Sequence, residues 1–350
     1  MSDGRREDPV RLGVVGLGYW GPNLVRNLVE LPLADVSCVC DARREALEAI
    51  TGRYPGMRAE RSFQDVLDDA DIEAIVLATP VSTHHELAAA ALDAGKHVFV
   101  EKPLAQSSAD AADLIRRADA SELTLMPGHT FLYSPPVNLA RDLISRGDLG
   151  EIYFISTSRV NLGLHQRDVS VVWDLAPHDF SIVRYWLDEV PVRVSALSRG
   201  CMDGKTADVA FIDLEFASGT IAHVEIAWLA PSKLRRTAVV GSEKMLVYDD
   251  TSNEQIRIFD SGAALPDPET FGEYRLTYRT GDIVSPQLES HEPLSLELAD
   301  FCASVRTGCE PRSSAALGLD VVRMTEAVDR SLAAGGRPVS LQGAAVTLAG

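Results

Sequence analysis

The chain has 350 residues, which at about 150 per domain predicts two domains and a core large enough to fold without disulfide or metal staples. Hydrophobic residues make up 46% and charged residues 24%, ordinary globular values, and no apolar run approaches the roughly 20 residues of a membrane span, which excludes a membrane protein and a disordered chain. Thirty-three Lys and Arg against 51 Asp and Glu leave a net charge of -18, which repels phosphate backbones and anionic lipid, so neither nucleic acid nor a membrane is an expected partner. Met1 to Pro9 has no apolar core behind its charges, so it does not read as a secretory signal and the cytoplasm is the expected compartment. The cysteines (Cys38, Cys40, Cys201, Cys302, Cys309) include no C-x-x-C pair. They are expected to be free and buried, with no metal site.

From Val10 to about Gly147 short apolar runs alternate with helical patterns. Val10–Gly16, Val36–Asp41, Ile72–Thr79, Lys96–Val100 and Leu123–Pro127 read as strands, several apolar on both faces as a buried parallel sheet demands. Leu24–Leu31, Arg44–Thr51, Glu86–Ala94, Ala109–Ala120 and Val137–Ser145 carry apolar residues at helical spacing. The pattern predicts an α/β Rossmann domain, a doubly wound parallel sheet, over residues 1–128.

Residues 129–350 are expected to form an α+β domain on a largely antiparallel open sheet, serving substrate binding and oligomerisation, with the final helices free to pack back on the first domain. Ile212, Leu214 and Phe216 alternate with Asp213 and Glu215, the period of a sheet covered on one face. Ala217–Thr220 supplies a turn, and Ala222, Val224, Ile226 and Trp228 continue the apolar face on the return strand. A second hairpin is expected at Gly241–Lys244, helices at Trp173–Leu187, Leu296–Arg306 and Leu317–Ala333, and a surface loop at Ser261–Gly272. The other sheet face, with His223 and Glu225, is left for a second subunit.

Gly16-Leu17-Gly18-Tyr19-Trp20-Gly21 fits G-x-G-x-x-G between a strand and a helix, and Asp41 ends the next strand. That context is the dinucleotide fingerprint. Gly16 permits the turn, Gly18 lets backbone amides approach a pyrophosphate, and Gly21 lets the helix pack against the strand. Asp41 suits the ribose hydroxyls of NAD. Arg43 and Arg44 leave NADP open, because an arginine beside the acid can pair with a 2′-phosphate. Tyr19 and Trp20 have two open readings, closure over the pyrophosphate or substrate, or core packing.

Thr79-Pro80-Val81-Ser82-Thr83-His84, Gly95-Lys96-His97-Val98 and Glu101-Lys102-Pro103 follow in order. With the glycine turn they resemble the Gfo/Idh/MocA oxidoreductases over nearly the whole chain. The resemblance implies an NAD(P)-dependent enzyme acting on the CH–OH of a sugar, in which Lys102 is catalytic and Thr79, Pro80, His84, Glu101 and Lys102 lie at the cofactor. An ammonium at a strand's carboxyl end can stabilise a developing alkoxide, which agrees with that role. His84 has a second reading as a polar residue opening a helix. In Trp173-Asp174-Leu175-Ala176-Pro177-His178 the resemblance implies that Asp174 and His178 face the substrate. Four-residue spacing puts both on one helix face, and an imidazole with an ordinary pKa near 6.5 suits proton transfer. Asp174 is also readable as the helix N-cap, with Pro177 in the first turn. Asn161 is a candidate for a substrate hydroxyl, and His129, after the last strand of the first domain, reads either as lying near the sugar or, the reading favoured, as a satisfied structural histidine.

The motifs G-Y-W-G-P-N, N-L-G and W-D-L-A-P-H-D look like bacterial members acting on nucleotide-linked sugars, which suggests hydride transfer at C3 of such a hexose. Inositol or free aldose oxidation, NAD-assisted glycoside hydrolysis and NAD binding without catalysis stay open. A homodimer or homotetramer is the expected assembly.

Overall fold

A computed structural model describes residues 8–163, 169–264 and 277–341. Within them the chain forms two compact units, one from residues up to 133 and 291–322, the other from 134–290 and from 323 onward.

The first unit carries β1 (Val10–Val15), α1 (Gly21–Glu30), β2 (Ala34–Cys40), α2 (Arg44–Arg53), β3 (Arg58–Glu60), α3 (Phe63–Leu67), β4 (Ala74–Leu77), α4 (His84–Asp93), β5 (His97–Glu101), α5 (Ser108–Ala120) and β6 (Leu125–Gly128). All six strands are parallel, in the order β3-β2-β1-β4-β5-β6. Leu12, Val14, Val76, Leu77, Val98 and Val100 are wholly buried, because helices cover both faces of such a sheet. The five expected strands and four of the expected helices are present here. β3 and α3 were not legible: a three-residue edge strand of Arg, Ala and Glu and a single helical turn carry no period to read.

The second unit carries α6 (Pro135–Ser145), β7 (Ile152–Leu162), α7 (Val171–Leu187), β8 (Arg193–Arg199), β9 (Val209–Glu215), β10 (Ile221–Ala227), β11 (Leu229–Gly241), β12 (Met245–Asp249), β13 (Ile256–Phe259), β14 (Gly262–Ala264), β15 (Thr277–Arg279) and β16 (Ile283–Val284). After it, α8 (Pro293–Thr307) belongs to the first unit, α9 (Ala315–Ala333) begins in the first and ends in the second, and β17 (Val339–Ser340) closes the described chain. Nine strands form one sheet in the order β16-β13-β12-β11-β7-β10-β9-β8-β17. Its pairs are antiparallel except β7 with β10. The expected hairpins are both present: Phe216 bonds across the first turn to Thr220 at 3.0 Å and Gly241 across the second to Lys244 at 3.0 Å. On one face Ile212, Leu214, Ala222, Val224 and Ile226 are buried, the side on which α7 packs. On the other, Leu197, Phe211, Ile221 and His223 are exposed.

Two cysteines depart from expectation: Cys201 and Cys309 are exposed, while all five are free. Of the expected loop Ser261–Gly272, residues 262–264 form β14 and residues 265–272 lie outside the described residues. Among the described residues no helix is long and apolar enough to cross a membrane.

Candidate active site

The glycine turn is fixed by close contacts. Gly16 has φ +91°, and a Cβ there would meet the Ala78 carbonyl oxygen at 2.6 Å and Thr79 Cγ2 at 2.8 Å. A side chain at Gly21 would collide with the Gly16 carbonyl. Over Gly18, by contrast, a Cβ would find no atom within 4 Å. The turn is therefore tight beneath and open above, the shape a pyrophosphate needs beside the α1 N-terminus. Tyr19 and Trp20 stand edge to face at 5.7 Å, 76% and 42% exposed, which removes the core-packing reading.

Asp41 is tied into this turn. Its Oδ2 accepts from the Leu17 amide at 2.8 Å, and its Oδ1 from the Arg43 amide at 2.8 Å. The Arg43 guanidinium adds Nε to Oδ1 at 3.0 Å and Nη2 to Oδ2 at 2.9 Å. Burial alone would push the carboxyl up. The bonds from Arg43 and Leu17 outweigh it and hold Asp41 down to about 2, so it is an anion throughout the physiological range. An acceptor at this position suits ribose hydroxyls, and the glycine cradle suits the phosphates, so these residues fit a dinucleotide.

Lys102 stands just past the carboxyl end of β5, two strands along the sheet from β1 and its glycine turn. The segment after it is pinned to the loop after β4. His84, at the start of α4 and wholly buried, has Nδ1 2.8 Å from the Pro103 carbonyl oxygen and Nε2 3.0 Å from that of Thr79. Burial holds its pKa below the usual histidine range, against the two carbonyls and with help from the Lys102 charge. A neutral ring has one N–H, which serves one carbonyl at a time. His84 thus opens α4 and, buried rather than on the surface, also joins the Thr79-Pro80 and Glu101-Lys102-Pro103 loops. His129 differs from expectation, since it is buried and neither ring nitrogen has a hydrogen-bond partner.

In the second unit α7 begins at Val171 with Ser170 as its N-cap. Asp174 is therefore not the cap, and Pro177 lies inside the helix rather than in its first turn. Asp174 and His178 share a face by their four-residue spacing. Asp174 Oδ2 accepts from Trp228 Nε1 at 3.0 Å. The Trp228 ring is seated against Gly163, where a Cβ would approach it to 2.5 Å, and the Gly163 amide donates to the Trp228 carbonyl at 2.9 Å. The end of β7 that carries Asn161 is thereby joined, through Trp228, to Asp174. Directly after His178, buried Asp179 anchors the helix to β7: Arg159 Nε reaches Oδ2 at 2.7 Å and Thr157 Oγ1 reaches Oδ1 at 2.9 Å. Trp228 and Asp179 were missed in the sequence, where a tryptophan on an apolar strand face and an aspartate beside a candidate histidine look like core and surface.

A doubly wound sheet with a glycine turn on its first strand and an acid ending its second defines a dinucleotide-binding domain. Two family models match over more than half of the chain: residues 10–129 fit the model of the oxidoreductase family with an NAD-binding Rossmann fold, and residues 137–247 fit the Gfo/Idh/MocA C-terminal domain. The chain belongs to the Gfo/Idh/MocA family and is an NAD-binding oxidoreductase. It is similar to an uncharacterized oxidoreductase of Streptococcus pneumoniae serotype 4, 26% identical over 232 residues, with 62% of each chain covered. It is also similar to scyllo-inositol 2-dehydrogenase (NAD+) of Bacillus subtilis strain 168, 27% identical with 87% of this chain and 89% of that one covered. A crystal structure of a Magnetospirillum magnetotacticum MS-1 protein assigned to the oxidoreductases superposes with a TM-score of 0.79 at 28% identity, covering 91% of this chain and 99% of that one.

Proposed function

We propose that this enzyme oxidises a ring CH–OH of a cyclic polyol or sugar with NAD, and that Lys102, His178 and Asp174 perform the chemistry. The observation that carries this reading is the position of Lys102, at the carboxyl end of a parallel strand in the sheet whose first strand bears the glycine turn. When bound, the nicotinamide supplies the hydride acceptor. Gly16, Gly18 and Gly21 receive the pyrophosphate, with Tyr19 and Trp20 over it. Asp41 receives the ribose hydroxyls with Arg43 beside them, and the Thr79-Pro80, His84 and Glu101-Lys102 loops border the nicotinamide side.

Lys102 Nζ donates to the reacting oxygen and stabilises the charge that grows on it as hydride leaves carbon. His178 takes the hydroxyl proton. Asp174, held by Trp228, binds a neighbouring hydroxyl, and Asn161 assists. Inositol chemistry gains support from the name of the Bacillus subtilis relative, and the nucleotide-linked hexose reading rests on the glycine-turn and α7 motifs. NADH formation against a panel of inositols, free aldoses and nucleotide sugars tests the proposal. Turnover of an inositol or hexose is expected, product release without net NADH would indicate redox-assisted hydrolysis, and no turnover on any of them would overturn it.

The exposed apolar face of the nine-stranded sheet, with Leu197 opposite Phe211, is read as the contact with a second copy of the chain. Only monomer in sedimentation at micromolar concentration would contradict this.

A further inference from the structure

β8 and β9 are adjacent antiparallel strands, and a hairpin needs only about two to five residues to join such a pair. Residues 200–208 join this one, and the surplus is folded into a closed loop. Asp203 caps its tip, accepting from the Lys205 and Thr206 amides at 2.8 Å each. A Cβ at Gly200 would meet the Thr206 carbonyl oxygen at 2.6 Å, so the two arms of the loop lie against each other there. At its base stands Asp208, buried, whose amide donates to the Arg199 carbonyl at 3.1 Å. The Asp208 carboxyl group turns back over the start of the loop: Oδ1 accepts from the Cys201 amide at 3.0 Å, and Oδ2 from the Cys201 and Met202 amides at 2.9 and 3.0 Å. Burying a carboxyl group is unfavourable unless donors such as these meet it, so the side chain and the loop hold each other in one arrangement.

The last two carbonyls of the loop hold the elements that carry the proposed substrate group. The Ala207 carbonyl accepts from the Val171 amide at 2.9 Å, and the Asp208 carbonyl from the Trp228 amide at 3.0 Å. Val171 opens α7, so its amide is one of the donors that a helix leaves without an internal partner. In the same turn, Asp174 Oδ2 accepts from Trp228 Nε1 at 3.0 Å. The circuit closes within the second unit: Ala207 holds the first turn of α7, Asp208 holds Trp228, and Trp228 holds Asp174.

We propose that Asp208 is a positioning residue for Asp174: its carboxyl group fixes the loop, and with it the two successive carbonyls that set the first turn of α7 and Trp228 in register. The role in turnover rests on the reading of Asp174 as the group that binds a substrate hydroxyl. Asp208 acts on it through the backbone and Trp228, so what matters is the place of an acceptor oxygen rather than a charge. Because Oδ2 alone meets both amides, an asparagine whose carbonyl oxygen takes that place reproduces both bonds. A glutamate keeps the charge and carries its oxygens one methylene further.

Tryptophan labelled with ¹⁵N at the indole nitrogen reads the arrangement by magnetic resonance in the protein without substrate. The chain has four tryptophans, and Trp228→Phe identifies the N–H resonance of Trp228 by its loss. Asp174→Ala gives the position of that resonance without its acceptor. In Asp208→Ala the Trp228 resonance is expected to move toward that position, and in Asp208→Asn to stay near the wild-type one. An unmoved resonance in Asp208→Ala would overturn the proposal. Should that variant fail to fold, Asp208→Glu takes its place: a moved resonance there with an unmoved one in Asp208→Asn is expected, and any other pattern contradicts the proposal. Kinetics separate positioning from general support of the fold. Asp208→Ala should lower kcat/KM by about tenfold or more in the wild-type background and by less than about twofold in Asp174→Ala, because residues that act through one another are not additive. Kd for NAD should be unchanged. Equal losses in both backgrounds would contradict the proposal. Failure of the Asp174 reading shows separately, as full turnover in Asp174→Ala, and leaves the indole result intact.

Discussion

Trp228 Nε1 donates to Asp174 Oδ2 at 3.0 Å, so a tryptophan just past the end of β10 orients the carboxylate proposed to meet substrate on α7. Trp228 itself is buried, and its ring is closed in by Gly163. The indole N–H bonds a carboxylate, the class of hydrogen bond worth about 1.5–3 kcal/mol. Trp228→Phe keeps the ring and deletes the donor. It should lower kcat/KM by about tenfold or more through a misplaced Asp174, with Kd for NAD unchanged in a binding titration. An unaltered kcat/KM would mean that Asp174 needs no such support.

Cofactor choice turns on Asp41 and Arg43. Because Arg43 already spends its guanidinium on Asp41, it is not free for a 2′-phosphate, and close like charges cost several kcal/mol. Steady-state kinetics should favour NAD over NADP by at least about tenfold, which needs only about 1.4 kcal/mol. Asp41→Ser removes the repulsion and releases Arg43, and should narrow or reverse the preference. Equal use of NADP by the unmodified enzyme would contradict this.

As the proton acceptor, His178 must be neutral to begin oxidation, so kcat should rise with pH as its imidazolium loses its proton. His178→Asn should lower kcat by about 10²–10⁴ and flatten that acid limb. A variant with the same limb and rate would leave His178 a structural role only.

Much of this was readable in the sequence, for reasons that can be named. The glycine turn and Asp41 announce themselves because a tight turn, a close approach and an acid at a strand end each demand a residue type. The largely apolar runs of β1, β4 and β5 follow from burial on both faces. The parallel pairing of β7 with β10, registered Ile221 to Phe154, could not be read, because alternation shows a strand's faces and not its partner. α7 starts at Val171, two residues before the expected Trp173, since Val171 and Val172 look like strand residues.

Acid sensitivity should appear in the first unit at Glu73. Its Oε1 and Oε2 each accept from Arg306 on α8 at 2.8 Å. The Arg306 bond, outweighing burial, holds the carboxyl down to about 2. A depressed carboxyl gives stability that is present above its unfolded value and is lost as pH falls through its folded one. Glu73→Gln should therefore cost about 1–3 kcal/mol in denaturant unfolding at pH 7, with the difference from wild type shrinking from about pH 4.5 toward pH 2. A difference that stayed constant over that range would show that the ion pair contributes nothing.

The central claim is that Lys102 stabilises charge on the reacting oxygen, and single-turnover kinetics of Lys102→Ala with saturating NAD and an accepted polyol or sugar test it most directly. The rate of NADH formation should fall by about a thousandfold or more while Kd for NAD changes by less than about threefold, because the glycine turn and Asp41 hold the cofactor. A Lys102→Ala enzyme that forms NADH at close to the wild-type rate would contradict the account.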